Sequence, residues 1–253
     1  MAKNKQELST VHEAILPVVS GASQELMDRM AEVKDNLESV ETFKLPRAKM
    51  TAAGFELIEG EPTILELEGV MIHTKKTNVY YENTYNANEV TPPTCFSKNG
   101  EVPDDSSTFK QHATCKGCPK AEFGTNSMKS GKACRNLKPI FMLLSDESIM
   151  PRQLNVTPAS LQLANKYLMN LTERGLSYRK VKTKIVLFKE NPRDTYYKMR
   201  FQMGAKISEQ ASKNVEFLRT QWMPVMNEQG VELAEFTHEQ TPQYQDIPQG
   251  GDY

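Results

Sequence analysis

The sequence predicts a mainly β fold of the α+β class. It reads as a five- or six-stranded barrel over residues 41–205, interrupted at about 92–138 by a cysteine-containing insert and flanked by helices. Three observations predict this. Polar and apolar residues alternate with a period of two from Phe43 to Tyr81 and again from Val181 to Met203. All four cysteines fall between Cys95 and Cys134. Helical periodicity is confined to the two ends and to one stretch after Thr157, so strands dominate the middle of the chain.

In chain order, residues 1–40 form an acidic helical segment broken near Pro17 and Ser20-Gly21. Its second helix carries Leu26, Met30, Val33 and Leu37 on one face. Strands follow in FKLPRAKMT, GFELIEG, TILELEGVMIH and NVYYENTY, the third with Leu65 and Leu67 alternating against Glu66 and Glu68. After the insert, PIFMLL and RQLNV are short strands. Thr157 and Pro158 suit the N-cap and first position of a helix running to Arg174-Gly175, with Leu161, Leu168 and Leu171 facing inward. VKTKIVLFKE and TYYKMRFQM are strands joined by the turn ENPRD. A last helix spans 206–223. Residues 224–253 contain six acidic residues and no Lys or Arg, and read as a disordered acidic tail.

The formal net charge of −1 hides a strong asymmetry. Residues 1–70 carry 7 basic against 13 acidic residues, and residues 207–253 carry 2 against 8. Residues 95–140 carry 8 basic against 4 acidic, and residues 174–206 carry 10 against 2. A basic centre between acidic ends points to a polyanionic partner. No apolar run reaches the ~20 residues of a membrane span, and no signal-peptide pattern is present, so a cytoplasmic setting is expected.

In a reducing compartment clustered cysteines favour a metal over disulfides. Cys115 and Cys118 form a C-x2-C knuckle around Lys116-Gly117, the turn in which two thiolates take one Zn2+ at ~2.3 Å. Cys95 and Cys134 complete a four-thiolate set, with His112 as the alternative to one of them. Four thiolates close the coordination shell, which makes the expected Zn2+ structural rather than catalytic. It would organise a glycine-containing loop that presents Lys129, Lys132 and Arg135 to phosphates.

The second basic block follows strand alternation. Lys182 and Lys184 share one face of VKTKIV, opposite Val181, Thr183 and Ile185. Tyr196, Lys198 and Arg200 share one face of TYYKMRFQM, opposite Tyr197, Met199, Phe201 and Met203. Paired as a hairpin, the strands offer lysines for a phosphate backbone beside a ring for base stacking, the recipe for single-stranded nucleic acid. Tyr80, Tyr81 and Tyr85 add further stacking rings.

The stretches PPTCFSKNGEVP, CKGCP and GKAC resemble a group of bacteriophage proteins with the pattern P-P-x-C-[FW]-S-x-x-G-x-x-P, then C-x2-C-P, then G-K-x-C. That resemblance implies single-stranded DNA binding. More distantly, the order of strands, cysteine insert, strands, helix, strands and acidic tail is similar to the T4-type helix-destabilising proteins. These have an OB-fold carrying a zinc lobe and ligate zinc with three cysteines and a histidine at tighter spacing. The likeness implies an OB-like barrel here, and a tail that recruits replication partners and competes with DNA.

No catalytic constellation is visible. His73 and His112 stand apart from any nucleophile setting, there is no phosphate-binding glycine loop, and no carboxylate cluster adjoins the basic region. The expectation is therefore a non-enzymatic single-stranded DNA-binding protein of phage replication or recombination, with little sequence preference. The alternative is a zinc-containing regulator or adaptor acting on host proteins or duplex DNA. The oligomeric state is left open.

Overall fold

The computed structural model describes residues 22–41, 43–82, 93–145, 148–194 and 196–230. Its strands are β1 (Arg47–Met50), β2 (Phe55–Glu56), β3 (Glu66–Thr74), β4 (Thr77–Tyr80), β5 (Cys95–Ser97), β6 (Arg135–Leu143), β7 (Arg152–Val156), β8 (Val181–Phe188) and β9 (Lys198–Lys206). The described helices are α1 (Gln24–Glu38), α2 (Leu161–Glu173) and α3 (Glu209–Glu228). The strands form one curled half-barrel sheet in the order β2-β1-β7-β6-β3-β8-β9, with β4 paired to β6 and β5 to β4. Among the described residues the sheet does not close on itself, since β2 and β9 end the path.

The curl originates in β3. Its first half pairs with β8, from Glu66 opposite Val186 to Gly69 opposite Thr183, and its second half pairs with β6, beginning at Val70 opposite Leu143. Gly69 sits at the change of partner. A Cβ there would stand 2.2 Å from the Leu143 carbonyl oxygen, so only glycine lets β6 approach so closely. β6 is shared in the same way, its beginning paired with β4 and its later part with β3.

Both faces of the central strands are covered, because strands buried on two sides alternate between two cores rather than between core and water. Met71, Ile140, Met142, Ile185 and Met199 pack with Ala164, Tyr167 and Leu171 of α2. Val70, Ile72, Phe141 and Leu143 pack with Leu26 and Met30 of α1 and with Val215, Leu218 and Trp222 of α3. The predicted inner faces of α1 and α2 are thus the observed ones. The acidic N-terminal helix is part of the main body, with Val33 and Leu37 also packed against its core.

Two expectations are corrected. The last helix does not stop at residue 223: α3 continues through Pro224 to Glu228. Proline removes one backbone donor and bends a helix, but fully buried Met226 and the Trp222 Nε1–H donating to Ile149 O at 2.8 Å hold the final turns against the sheet. Lys75 Nζ then donates to Asn227 O and Gln229 O, and Arg47 Nη2 donates to Gly230 O. Residues 224–230 therefore belong to the folded body, and the remainder of the acidic tail, 231–253, lies outside the described residues. Second, the short strand β5 was not predicted and joins the insert to the sheet.

One half-buried histidine at the edge of this core makes it pH-sensitive. His73 of β3 stacks on Phe141 with ring centres 5.8 Å apart, and its Nε2 has no hydrogen-bond partner among the described residues. Burial, helped by the nearby charges of Arg219 and Lys75, lowers its pKa from 6.5 to about 4. The folded state therefore favours neutral His73 more than the unfolded chain does. The stability it contributes is complete above about pH 6.5 and is lost as pH falls toward 4. Melting temperatures measured from pH 7 to 4 should fall more steeply for the native protein than for His73→Phe; parallel curves would contradict this.

Candidate metal centre and nucleic-acid interface

The four cysteines come from three supports that converge on one cavity. Cys95 opens β5 and pairs across the ladder with Tyr80. Cys115 and Cys118 form a turn in which Cys118 N donates to Cys115 O at 3.4 Å and Cys115 N is anchored to Glu101 O at 2.7 Å. Gly117 takes φ +79° in that turn with no atom within 4 Å of its Cβ position, so the backbone conformation alone asks for glycine. Cys118 leads into a 3-10 turn, Pro119–Ala121, and Cys134 N donates to Lys120 O at 2.7 Å just before β6 begins.

All four thiols line the same small cavity, with Tyr80 and His112 also on its wall. Cys95 and Cys118 are buried, Cys115 and Cys134 half-buried, and none is in a disulfide. Burial, with the neighbouring Cys115, Cys118 and Cys95, raises the Cys134 thiol to about 12. Even so, among the described residues no group of three or more His, Cys, Asp or Glu side chains is arranged to hold a metal ion. The two observations concern different distances: a shared wall is a looser condition than ligation, which requires the sulfurs to stand ~2.3 Å from one point. By donor type, four thiols are a soft set of the kind that takes Zn2+. His112 is exposed and its Nδ1 is 2.9 Å from Thr114 O, so that nitrogen is engaged within its own turn.

The lysine loop after the knuckle is held by its own polar side chains. Asn126 Oδ1 accepts from Ser130 N at 2.9 Å and Gly131 N at 3.0 Å. Thr125 Oγ1 accepts from Ala133 N at 3.0 Å and donates to Glu122 O at 2.7 Å. Lys129 and Lys132 project from this frame as exposed side chains. Arg135 lies deeper, at the start of β6 opposite Val79. Burial lowers its pKa, and the Tyr81 hydroxyl near it is raised by burial and has no hydrogen-bond partner among the described residues.

Alternation in β8 and β9 is as predicted. Val181, Thr183, Ile185 and Leu187 are buried beneath the sheet, while Lys182, Lys184 and Phe188 lie on the outer face with Lys198 and Arg200 of β9. The register sets Arg200 opposite Val186 and Lys198 opposite Phe188. The Arg200 guanidinium stands over the Phe188 ring at 4.5 Å. Tyr196 is half-buried just before β9. This face is not uniformly basic, as Lys184 Nζ meets Glu66 at 2.6 Å and Lys198 Nζ meets Glu190 at 2.6 Å.

The predicted residues thus fall into two groups. The four cysteines share the cavity, with Lys129 and Lys132 on the lobe beside it. Lys182, Lys184, Tyr196, Lys198 and Arg200 belong to the β8–β9 hairpin. Tyr80 lies on the cavity wall with Lys120 Nζ 5.1 Å from its ring centre, and because it is only 6% exposed the ring is not an open stacking surface. Tyr81 is half-buried against Val79, Leu137 and Phe96. Tyr85 lies outside the described residues.

Sequence reasoning missed Phe188, which the period-two count from Lys182 and Lys184 would have found. It also missed Glu66 and Glu190 as partners of the basic face, because cross-strand register is needed to bring them there. No family model matches the chain, and no curated protein or solved structure matches it either. Among the described residues no helix is long and apolar enough to cross a membrane.

Proposed function

We propose that the protein binds single-stranded DNA with little sequence preference, coating it during phage replication or recombination. The reading is carried by the outer face of β8 and β9. There the Arg200 guanidinium stands 4.5 Å from the Phe188 ring centre among Lys182, Lys184 and Lys198, while the opposite face of the same strands is core. Positive groups that follow a backbone, set around an aromatic ring, bind single strands through phosphates and base stacking together. In this reading the curled sheet is the open part of an OB-like barrel.

The second element is a structural Zn2+ held by Cys95, Cys115, Cys118 and Cys134, with residues 92–138 as its lobe. The ion would supply cross-linking only. The chain's own residues do the rest: Asn126 and Thr125 shape the loop, and Lys129 and Lys132 offer charge to phosphates. The acidic residues after 230 would serve replication or recombination partners. The ion pairs Lys184–Glu66 and Lys198–Glu190 support reversible rather than very tight binding, since a phosphate must compete with a carboxylate for each ammonium.

Affinity for oligo-dT measured across a salt series tests this reading. Log affinity should fall linearly with log salt, by about 0.7 for each phosphate contact on a single strand, so three to five contacts give a slope of about −2 to −3.5. A slope near zero would show that the basic face meets no phosphates.

A further inference from the structure

We infer that the 122–133 loop of the cysteine lobe is a second contact for single-stranded nucleic acid, in which Phe123 stacks on an unpaired base between phosphates met by Lys129 and Lys132. The inference rests on the single-stranded DNA reading and adds a base-stacking ring to the lysines that reading places on the lobe.

Phe123 is 76% exposed, the most open of the large apolar side chains among the described residues. It belongs to none of the three hydrophobic clusters. The ring is not waiting for a core to close over it, because the loop that carries it is already built. Gly124 N donates to Gly131 O at 2.8 Å, and Asn126 and Thr125 fix the turn from within. Lys129 holds φ +54°, an uncommon conformation for a side-chain-bearing residue, in the turn that Lys129 N closes by donating to Asn126 O at 3.0 Å. A set backbone holding one exposed ring on the same loop as exposed cations is preorganised for its ligand.

Charge and shape select the occupant. From residue 116 to 132 the chain carries Lys116, Lys120, Lys129 and Lys132 against the single acid Glu122. A protein partner would call for a larger contiguous apolar patch, whereas one ring on a lysine-rich loop suits a polyanion that also offers flat apolar faces. Duplex DNA keeps those faces stacked against each other, so the fitting polyanion is a single strand. Met128, 57% exposed on the same loop, adds apolar surface for the base.

The test uses the full chain in three forms, native, Phe123→Ala and Phe123→Tyr, titrated with oligo-dT and with an abasic oligonucleotide of equal length. Phe123→Ala should weaken oligo-dT binding by about five- to 150-fold, the span of one lost base–ring stack. Phe123→Tyr should bind like the native protein, and all three should bind the abasic strand equally. Two results would overturn the inference and leave the DNA-binding reading standing. One is unchanged oligo-dT binding by Phe123→Ala, which would show that no base stacks on the ring. The other is equal weakening on both strands, which would make the ring a support of the loop. If the native protein fails to bind oligo-dT at all, the DNA-binding reading itself falls.

Discussion

Replacing Cys115 and Cys118 together by serine is expected to abolish zinc binding at the proposed four-cysteine site and unfold the lobe from about residue 93 to 134, while the helix-covered sheet stays folded. The lobe has almost no apolar core of its own: the small cluster of Val79 and Leu137, with Tyr81 and Phe96 packed against it, takes only Phe96 from the lobe. The central strands of the sheet, in contrast, are buried on both faces by α1, α2 and α3. A structural zinc supplies on the order of 10 kcal/mol in small zinc domains, far more than the internal hydrogen bonds of Asn126 and Thr125 could replace. Metal content of the purified variant and hydrogen exchange over the lobe read the two effects separately. Stoichiometric zinc retained by the double variant would contradict the ligand assignment. The same chemistry predicts that zinc added to the native protein binds at neutral pH and is released on acidification, because thiols must give up protons to bind the ion and regain them as pH falls.

The second large effect is expected on the hairpin. Phe188→Ala should weaken oligo-dT binding by ~1–3 kcal/mol, the value of a stacked base. Arg200→Gln should both weaken binding and flatten the salt slope by about 0.7, the loss of one phosphate contact. Arg200 is exposed and Phe188 lies on the outer face of its strand, so circular dichroism of either variant should match the native protein. Glu66→Gln should act in the opposite direction. It frees the Lys184 ammonium that now meets Glu66 at 2.6 Å, so affinity should rise, most clearly at low salt. Reduced affinity in Glu66→Gln would place the strand of DNA elsewhere than on this face.

Much of this arrangement is legible in the sequence because it depends on short-range pattern. The period-two alternation of VKTKIVLF sorts Lys182 and Lys184 from Val181 and Ile185 without knowledge of any partner strand. The stripe Leu26, Met30, Val33 and Leu37 likewise names the buried side of α1. What the sequence does not reveal depends on register and on tertiary contact. The meeting of Glu66 with Lys184 exists only because β3 pairs with β8 in one particular register. The passage of α3 through Pro224 exists because burial of Trp222 and Met226 outweighs the lost backbone bond. Tyr80 reads as a free ring beside Tyr81, yet β4 lies between β5 and β6 and turns it to the cysteine cavity. The C-x2-C spacing identifies a candidate metal site by itself, but the shared wall of Cys95 and Cys134 follows from the pairing of β4 with β5 and the start of β6.

The central claim is preference for single strands. The most direct measurement is competition, in which fluorescent oligo-dT bound to the full-length protein is challenged with unlabelled oligo-dT, duplex DNA of mixed sequence and RNA at one fixed salt concentration. The account predicts efficient displacement by oligo-dT and weak displacement by duplex, since only unpaired bases can reach the rings of Phe188 and Phe123. Displacement by duplex at the same concentration as by oligo-dT would contradict it.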